Sequence, residues 1–226
     1  IADSVLSDIG QCVYQADIVV LATPVCTFEK MFLEMSPYLK KGCIVTDVGS
    51  TKELSHNWAV KSLPATVYYV GSHPIAGSEK RGVEFARDDL FSGARCILTK
   101  TAKTNNNALK ILKQFWLKVG CYVNIMSPDE HDRILGRVSH LPHVTAAALV
   151  NASELEHLRF AGKGFIDTSR IASGTPNIWC DILVTNSKNT ASGIGKVIKE
   201  LTKLKKAIEK KDKKQITKLL TDANLK

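Results

Sequence analysis

Hydrophobic and polar positions along the first part of the chain follow the pattern of an α/β protein. Three short apolar runs, ADIVVLATPV (16–25), GCIVTDVGS (42–50) and VYYV (67–70), predict buried strands that lead into Gly, Pro or Ser residues typical of loops. Between the first two runs, FEKMFLEMSPYL has the apolar spacing of a short helix. This alternation predicts parallel strands joined by right-handed crossovers.

The same pattern continues to residue 126 and then changes. ARCILTK (94–100) and CYVNIMS (121–127) predict two more strands, with a helix near Asn106–Val119 between them. After Ser127 the apolar positions keep helical spacing, and no convincing strand follows. We therefore predict an α/β fold with a partial Rossmann-type parallel sheet in residues 1–126 and an all-helical domain in residues 127–226.

The sheet lacks the start that a dinucleotide-binding fold has. Such a sheet begins with a strand and a G-x-G-x-x-G turn that opens a helix. The chain has no such motif and no initiator Met, and its opening, IADSVLSDIGQCVYQADIVV, resembles the approach to the fourth strand of such a sheet. We expect an N-terminally truncated fragment, or a protein in which that part was never present. Without those backbone N–H groups we expect weak dinucleotide binding.

The net charge of +9 comes mostly from the C-terminal tail. Residues 196–226 contain eleven lysines and four acidic residues. Val197, Leu201, Leu204 and Ile208 recur there at helical spacing, so the lysines fit the solvated face of an amphipathic helix. The tail lacks the arginines and aromatic residues that usually accompany a nucleic-acid surface, and we expect no nucleic-acid partner.

The cysteines and the apolar runs indicate the cellular location of the protein. Six scattered cysteines with no CxxC pair favour free buried thiols over a disulfide framework. No apolar run approaches the roughly 20 residues of a membrane span, and no secretory leader opens the chain. We expect a soluble, cytoplasmic protein without a membrane partner.

Two segments place polar side chains at predicted strand ends. GSHPIAGSEKRG (71–82) puts His73 just past the carboxyl end of the strand VYYV, where open α/β sheets bind ligands. TDVGSTK (46–52) puts Ser50 and Lys52 at the same edge. A plain surface turn is the competing interpretation of the first segment, because Gly, Pro and Ser are ordinary turn residues.

EHDRILGRVSHLPH (130–143) places His140 and His143 one helical turn apart. They could ligate a metal with His131 or Asp132 as a third ligand. The intervening proline distorts the turn and no HExxH motif is present, so we expect capped or packed histidines and no metal.

GKGFIDTSRIASGTPNIWCDI carries Arg170 and Trp179 among small polar residues. An arginine in such a segment is suited to bidentate capture of a carboxylate. A structural ion pair between Arg170 and Asp167 remains an alternative.

Three segments, GSHPIAGSEKRG, SPDEHDRILGRVSHLPH and GFIDTSRIASGTPNIWCDI, resemble the prephenate/arogenate dehydrogenase family in order and in spacing. The resemblance covers nearly the whole chain. It implies an NAD(P)-binding domain joined to a helical dimerisation domain, with substrate in the cleft between them. It also implies NAD or NADP as cofactor, prephenate or arogenate as substrate, a homodimer, and a place in tyrosine biosynthesis.

The resemblance also implies roles for individual residues. His73 matches the family's catalytic histidine, and Ser50 matches a serine that hydrogen-bonds this histidine and reaches toward the nicotinamide. The substrate-binding residues implied are Arg170, His143, Glu79 and Trp179, and the cofactor-binding residues are Thr23, Pro24, Val25 and Ser50. Where some relatives have a lysine, this chain has Ile166, so that substrate contact is not carried over.

Two alternatives remain open. Another NAD(P)-dependent dehydrogenase with a helical second domain, of the hydroxyacid or 6-phosphogluconate type, would use a lysine base and leave the GSHPIAG histidine unexplained. A truncated, non-catalytic dimerisation module would fit the missing half of the sheet.

Overall fold

The computed structural model describes residues 3–76 and 85–225. The α/β part contains six strands and four helices within these residues. The strands are β1 (Ile18–Leu21), β2 (Ile44–Asp47), β3 (Tyr68–Tyr69), β4 (Gly71–Ile75), β5 (Arg95–Thr99) and β6 (Tyr122–Met126). The helices are α1 (Ile9–Val13), α2 (Phe28–Met35), α3 (Glu53–Ser62) and α4 (Asn106–Lys118).

The first three strands form the predicted parallel sheet. They lie in the order β1-β2-β3, with Ile18 opposite Ile44 and Ile44 opposite Tyr68. One core lies beside this sheet, where Phe28, Phe32 and Met35 are fully buried. This part of the predicted fold is confirmed.

The other three strands form a second sheet, in the order β4-β5-β6, which departs from the prediction of parallel strands. After Val70 the chain continues as β4, which pairs antiparallel with β5, and β5 pairs parallel with β6. Residues 86–94, which lead into β5, contain turns and no helix. A crossover helix is the usual requirement for a parallel return, so an antiparallel return fits this connection.

The second core holds β4 to β6 in place. Helix α4 begins at the N-cap Asn105, whose side chain accepts a hydrogen bond from the backbone N–H of Ala108 at 2.9 Å. Its apolar face buries Leu112 and Trp116 against this second sheet. The Trp116 indole N–H donates to Ser72 Oγ at 3.0 Å and so fixes the start of β4.

After Met126 the described chain is helical with connecting loops, as predicted. The helices are α5 (Pro128–Leu135), α6 (Leu141–Asn151), α7 (Lys163–Ser169), α8 (Pro176–Thr185), α9 (Ser187–Glu209) and α10 (Lys213–Asn224). A π-helical turn, Gly136–His140, joins α5 to α6. The predicted amphipathic tail is two helices, because the chain turns at Lys211, which has a φ of 52°.

The two parts meet at the amino end of α3. The backbone N–H groups of Lys52 and Glu53 donate to the Asp132 carboxylate in α5, at 2.8 and 2.9 Å. The hydroxyls of Thr51 and Thr185 are hydrogen-bonded at 2.8 Å. None of the helices in the described ranges has the length and apolar character needed to span a bilayer.

Candidate active site

A cleft of about 230 Å³ opens at the carboxyl ends of β1 and β2. One wall comes from the α/β part and the other from α8. The lining residues include Thr23, Pro24, Val25, Gly49, Ser50, Ile178, Asp181 and Ile182. The structure thus brings together all four of the residues proposed for cofactor binding and sets them opposite the helical part.

His73 lies in the middle of β4, opposite Ile97 of β5, and not in a loop past a strand end. The prediction of a loop was wrong because the chain re-enters an extended segment directly after Val70. Pro74 is tolerated there because β4 is an edge strand of its sheet. His73 is half-buried, and its Nδ1 lies 2.8 Å from His131 Nε2.

Ser50 does not form the expected hydrogen bond with His73 among the described residues. It stays on the wall of the cleft, three residues past the end of β2. The hydrogen bond that the structure gives His73 goes to His131 instead. Hydrogen bonds of a catalytic site are often long before substrate binds, so Ser50 remains a candidate on its position alone.

His131 and Asp132 are the functional candidates that sequence reasoning missed, since it weighed them only as metal ligands. Both are buried near the start of α5, and His131 Nδ1 lies 2.7 Å from Asp132 Oδ1. The available signal was their place on the face of α5 that also carries the buried Leu135. Titratable side chains on a buried face are rare unless they are paired.

The surroundings of His73 keep its ring neutral. Burial lowers the pKa of His73 well below its ordinary value, and His131, Lys52 and His140 lower it further. Burial also lowers the pKa of His131, while the neighbouring Asp132 raises it and Lys52 lowers it. A neutral histidine has one ring nitrogen free to accept a proton.

The sequence predicted Lys52 at the ligand edge beside Ser50, but the structure buries it. Its side chain is 0% exposed and forms an ion pair with Asp47, which is also 0% exposed. Asp47 accepts further hydrogen bonds from the Tyr69 hydroxyl at 2.6 Å and the Gly49 backbone N–H at 2.8 Å. Lys52, the Tyr69 hydroxyl and the Gly49 N–H thus give the buried carboxylate three donors, and hydrogen bonds of this kind offset part of the cost of burying an ion pair.

A glycine lets the Lys52 side chain pass behind β4. A Cβ at Gly71 would lie 2.9 Å from Lys52 Cδ and 2.5 Å from Thr99 Oγ1. Gly71 is two residues from His73, so the buried cation lies directly behind the strand that carries the histidine.

A second group of aromatic side chains lies on the helical side. The His143 ring stacks on Trp179 with centroids 3.5 Å apart, and the His140 ring meets the same indole edge-on at 6.2 Å. Among the described residues, His140 Nε2 and His143 Nδ1 are buried without a hydrogen-bond partner. Two unpaired buried ring nitrogens beside a tryptophan are a place where a polar ligand can bind.

The remaining predicted residues lie near this group or outside the described chain. Arg170 begins the 3-10 turn Arg170–Ser173 and is exposed. The turn leads into Gly174, which lies against Trp179 and His143 and so links the turn to the aromatic group. Glu79 lies outside the described residues.

Gly174 is required where the chain passes this group. A Cβ there would meet Trp179 Nε1 far inside contact distance and would lie 3.0 Å from His143 Cε1. Its φ of −58° and ψ of 147° suit any residue, so the restriction is contact and not backbone strain.

We expect Gly174→Ala to displace Trp179 and to lower the free energy of unfolding by about 1–3 kcal/mol, the usual cost of overpacking. Urea denaturation and tryptophan fluorescence measure the two effects. Gly164→Ala is the matched control, because a Cβ at Gly164 meets no atom within 4 Å. Unchanged fluorescence and stability in Gly174→Ala would contradict the described packing.

Comparison with known proteins places the chain in a family. Two family models match: the nucleotide-binding domain of prephenate dehydrogenase over residues 1–125, and its dimerization domain over residues 127–222. The prephenate dehydrogenase of Bacillus subtilis is 37% identical over 93% of this chain and 58% of its own length. The cyclohexadienyl dehydrogenase of Zymomonas mobilis is 33% identical over 94% of this chain and 74% of its own length.

Solved structures agree with these matches. Prephenate dehydrogenase from Aquifex aeolicus, in complex with hydroxyphenyl propionate and NAD+, superposes with a TM-score of 0.89 at 36% identity, covering 97% of this chain and 79% of that one. Synechocystis arogenate dehydrogenase superposes with a TM-score of 0.82 at 27% identity, covering 96% of this chain and 80% of that one. The chain spans less than two thirds of the Bacillus subtilis relative. By its two domain matches and its identity to these enzymes, the chain belongs to the prephenate dehydrogenase family.

Proposed function

We propose that the protein oxidises and decarboxylates prephenate or arogenate with NAD or NADP, a step of tyrosine biosynthesis. The observation that carries this proposal is His73, a half-buried histidine kept neutral by its surroundings and hydrogen-bonded through Nδ1 to His131. A neutral ring whose second nitrogen is available is what removal of a hydroxyl proton needs. Family membership supports the same reaction.

The substrate's chemistry defines the task of His73. Prephenate and arogenate are cyclohexadienols with a ring carboxylate on the carbon opposite the hydroxyl. His73 accepts the hydroxyl proton as the ring carbon that bears the hydroxyl loses a hydride and becomes a carbonyl carbon. The bond to the ring carboxylate then breaks, CO2 leaves, and its electron pair makes the ring aromatic. The phenolate that results takes back a proton, which the protonated His73 can return.

The cleft at the ends of β1 and β2 fits the nicotinamide end of a dinucleotide. Thr23, Pro24 and Gly49 line it, and Ser50 contributes a hydroxyl. The carboxyl ends of parallel strands are where such sheets bind nucleotides. When bound there, the cofactor accepts the hydride. The residues of this chain would hold its ring between the strand ends and α8 and keep water away from the reacting carbon.

The aromatic group on the helical side fits the substrate. Trp179 and His143 stack on each other, and the two unpaired histidine nitrogens beside them, buried in the absence of substrate, would pair with its polar substituents. Arg170 lies beside this group and can capture a carboxylate in two parallel hydrogen bonds. The relative from Aquifex aeolicus was solved with hydroxyphenyl propionate, a phenol with a carboxylate side chain, which supports a site of this polarity.

We expect Arg170→Ala to raise KM about 10- to 100-fold while the fold stays intact, because a charged hydrogen bond contributes roughly 1.5–3 kcal/mol. Steady-state kinetics and a thermal melt measure the two quantities. Lys163→Ala, which removes another exposed positive charge on the same segment, is the control and should leave KM unchanged. Unfolding of Arg170→Ala with a normal KM in the folded fraction would favour a structural pairing with Asp167.

We propose that residues 127–226 form most of a homodimer interface. The matching family model is a dimerization domain, and large apolar side chains of the helical part, such as Phe160 at 74% and Val184 at 62%, are exposed in the single chain. Exposed apolar surface of this kind is typical of an interface. A monomeric mass at micromolar concentration, by light scattering, would contradict the dimer.

A cytoplasmic location is also part of the proposal. All six cysteines are free thiols, and Cys43, Cys96 and Cys121 are buried. Free thiols in these numbers fit a reducing compartment.

The assay that tests the function compares four combinations, prephenate or arogenate with NAD+ or NADP+, in a form of the protein that binds the dinucleotide. Formation of the reduced cofactor is followed by absorbance, and the phenolic product by chromatography. Turnover of either substrate supports the proposal. Turnover of a hydroxyacid or a phosphogluconate instead, or binding of substrate and dinucleotide with no turnover in any combination, would overturn it.

A further inference from the structure

We propose that His131 and Asp132 are positioning residues that fix the tautomer of His73, so that its Nε2 atom always carries the lone pair that takes the proton. The inference rests on the proposed function only for the identity of the group that gives up the proton. The tautomer itself is a property of the described residues.

The argument begins at Asp132, whose two oxygens face only donors. The backbone N–H groups of Lys52 and Glu53 donate to Oδ1 and Oδ2 at 2.8 and 2.9 Å. His131 Nδ1 lies 2.7 Å from Oδ1. A carboxylate accepts and does not donate, so His131 must carry a proton on Nδ1.

A neutral His131 then has its lone pair on Nε2. Its ring is fully buried, and burial together with Lys52 lowers its pKa against the opposing effect of Asp132. A protonated His131 would donate from both nitrogens, would force the proton of His73 onto Nε2, and would make His73 useless as a base. Lys52 thus favours the neutral state of His131 that the reaction needs, while Asp132 and Asp47, the ion-pair partner of Lys52, oppose it.

The hydrogen bond between the two rings carries this assignment to His73. Since His131 Nε2 can only accept, the group that donates across the 2.8 Å contact is His73 Nδ1–H. His73 Nε2 is then the unprotonated nitrogen. A histidine without such a partner populates both tautomers, and the molecules with the proton on Nε2 cannot accept another one there.

Charged and titratable groups surround His73 from three elements. His131 belongs to α5, Lys52 precedes α3, and His140 belongs to the π-helical turn; all three lower the pKa of His73. Asp132, the nearby carboxylate of this hydrogen-bond chain, is separated from His73 by the His131 ring. The ring of His73 is therefore held neutral and in one tautomer by contacts on both sides of the boundary between the two parts.

The supporting hydrogen bonds keep α5 from shifting. Besides the two N–H groups at the start of α3, the Asn186 amide donates to the Asp132 carbonyl oxygen at 2.7 Å and contacts His140 Nδ1 at 3.1 Å. Asp132 is thus fixed from α3 and from the loop between α8 and α9.

The direct test is ring 15N NMR of the chain itself. Long-range 15N–1H spectra distinguish a ring protonated on Nδ1 from one protonated on Nε2, and the six histidines can be assigned by the loss of single signals in substituted chains. We expect His73 and His131 both as Nδ1–H tautomers at pH 7. A His73 ring protonated on Nε2, or a mixture of the two forms, would overturn the inference.

Two substitutions of His131 separate positioning from packing. His131→Leu fills similar space without an acceptor and should convert His73 to a mixture of tautomers. It should lower kcat about two- to fivefold, in proportion to the fraction of rings that lose the Nε2 lone pair, with little change in KM. His131→Gln has a carbonyl oxygen that can accept from His73 Nδ1 and should recover most of both. His157→Leu, on an exposed turn, is the control and should change neither.

The outcomes distinguish this inference from the proposed function. An Nδ1–H tautomer of His73 in a protein that turns over neither substrate would overturn the proposed function and uphold the fixed tautomer. Turnover with an unchanged tautomer and unchanged kcat in His131→Leu would overturn the inference alone. If His131→Leu fails to fold, the NMR spectrum of the unsubstituted chain still decides.

Discussion

Replacing His73 with Asn lowers kcat by about 10²–10⁴-fold, the usual contribution of a general base, and changes KM little. Asn is close to His in size and keeps a polar group near His131, so β4 should retain its pairing with β5. The loss falls on kcat because the proton has to leave the hydroxyl as the hydride departs. Steady-state kinetics in a form of the protein that turns over substrate measure the effect.

The pH profile of the same pair of proteins gives a second, independent result. His73 works only when neutral, so kcat/KM of the unsubstituted protein falls as the pH drops through the pKa of His73. An ordinary histidine would place that limb near pH 6.5. Because the pKa of His73 lies well below its ordinary value, we expect the limb well below pH 6.5 and its absence from His73→Asn.

His157→Asn is the matched control for both measurements, because this histidine is exposed and 65% of its side chain is open to solvent. It should keep kcat and the acidic limb. A His73→Asn protein that retains near-normal kcat and the same limb would show that another group takes the proton.

Lys52→Met lowers the free energy of unfolding by about 3–5 kcal/mol. The substitution removes the cation and leaves the carboxylate of Asp47 buried, facing only the Tyr69 hydroxyl and the Gly49 backbone N–H. An uncompensated buried charge is among the most destabilising changes a core can receive. Urea denaturation measures the difference.

A double substitution separates the charge from the packing. Lys52→Met with Asp47→Asn removes both charges and keeps an oxygen that accepts from Tyr69, so it should recover much of the stability lost in either single variant. Lys40→Met is the surface control, because its partner Asp17 is 92% exposed and exposed pairs contribute about 0–1 kcal/mol. Strictly additive losses in the double variant would show that Lys52 and Asp47 do not interact.

The sequence predicted the parts of the fold that depend on local pattern. The apolar runs located β1, β2, β5 and β6, and the spacing after Ser127 predicted a helical second half. It did not predict β4, because Gly71 and Pro74 are turn residues by themselves. They become a strand only through pairing with β5, which is distant along the chain.

The candidate site was predicted to the extent that each residue stands at the end of a strand or in a family motif. Thr23, Pro24, Val25 and Ser50 do line one cleft. Lys52 was predicted at the ligand edge because TDVGSTK places it just past a strand end, and nothing local reveals that Asp47 neutralises it. The role of His131 depends on a ring 58 residues earlier in the chain, so no spacing rule could reveal it.

The hydrogen bond between His73 and His131 also bears on how such enzymes can be recombined. The proposed base, His73, lies in the α/β half, and its hydrogen-bond partner His131 lies in the helical half. In a chimera that joins the α/β half of this chain to the helical half of a relative, the activity depends on how α5 of one parent meets β4 of the other. We expect such hybrids to fold and bind substrate while losing turnover, unless the segment that carries His131 and Asp132 is exchanged together with the segment that carries His73. For the proposed catalysis, the segments of the two halves that carry His73 and His131 therefore have to be exchanged together.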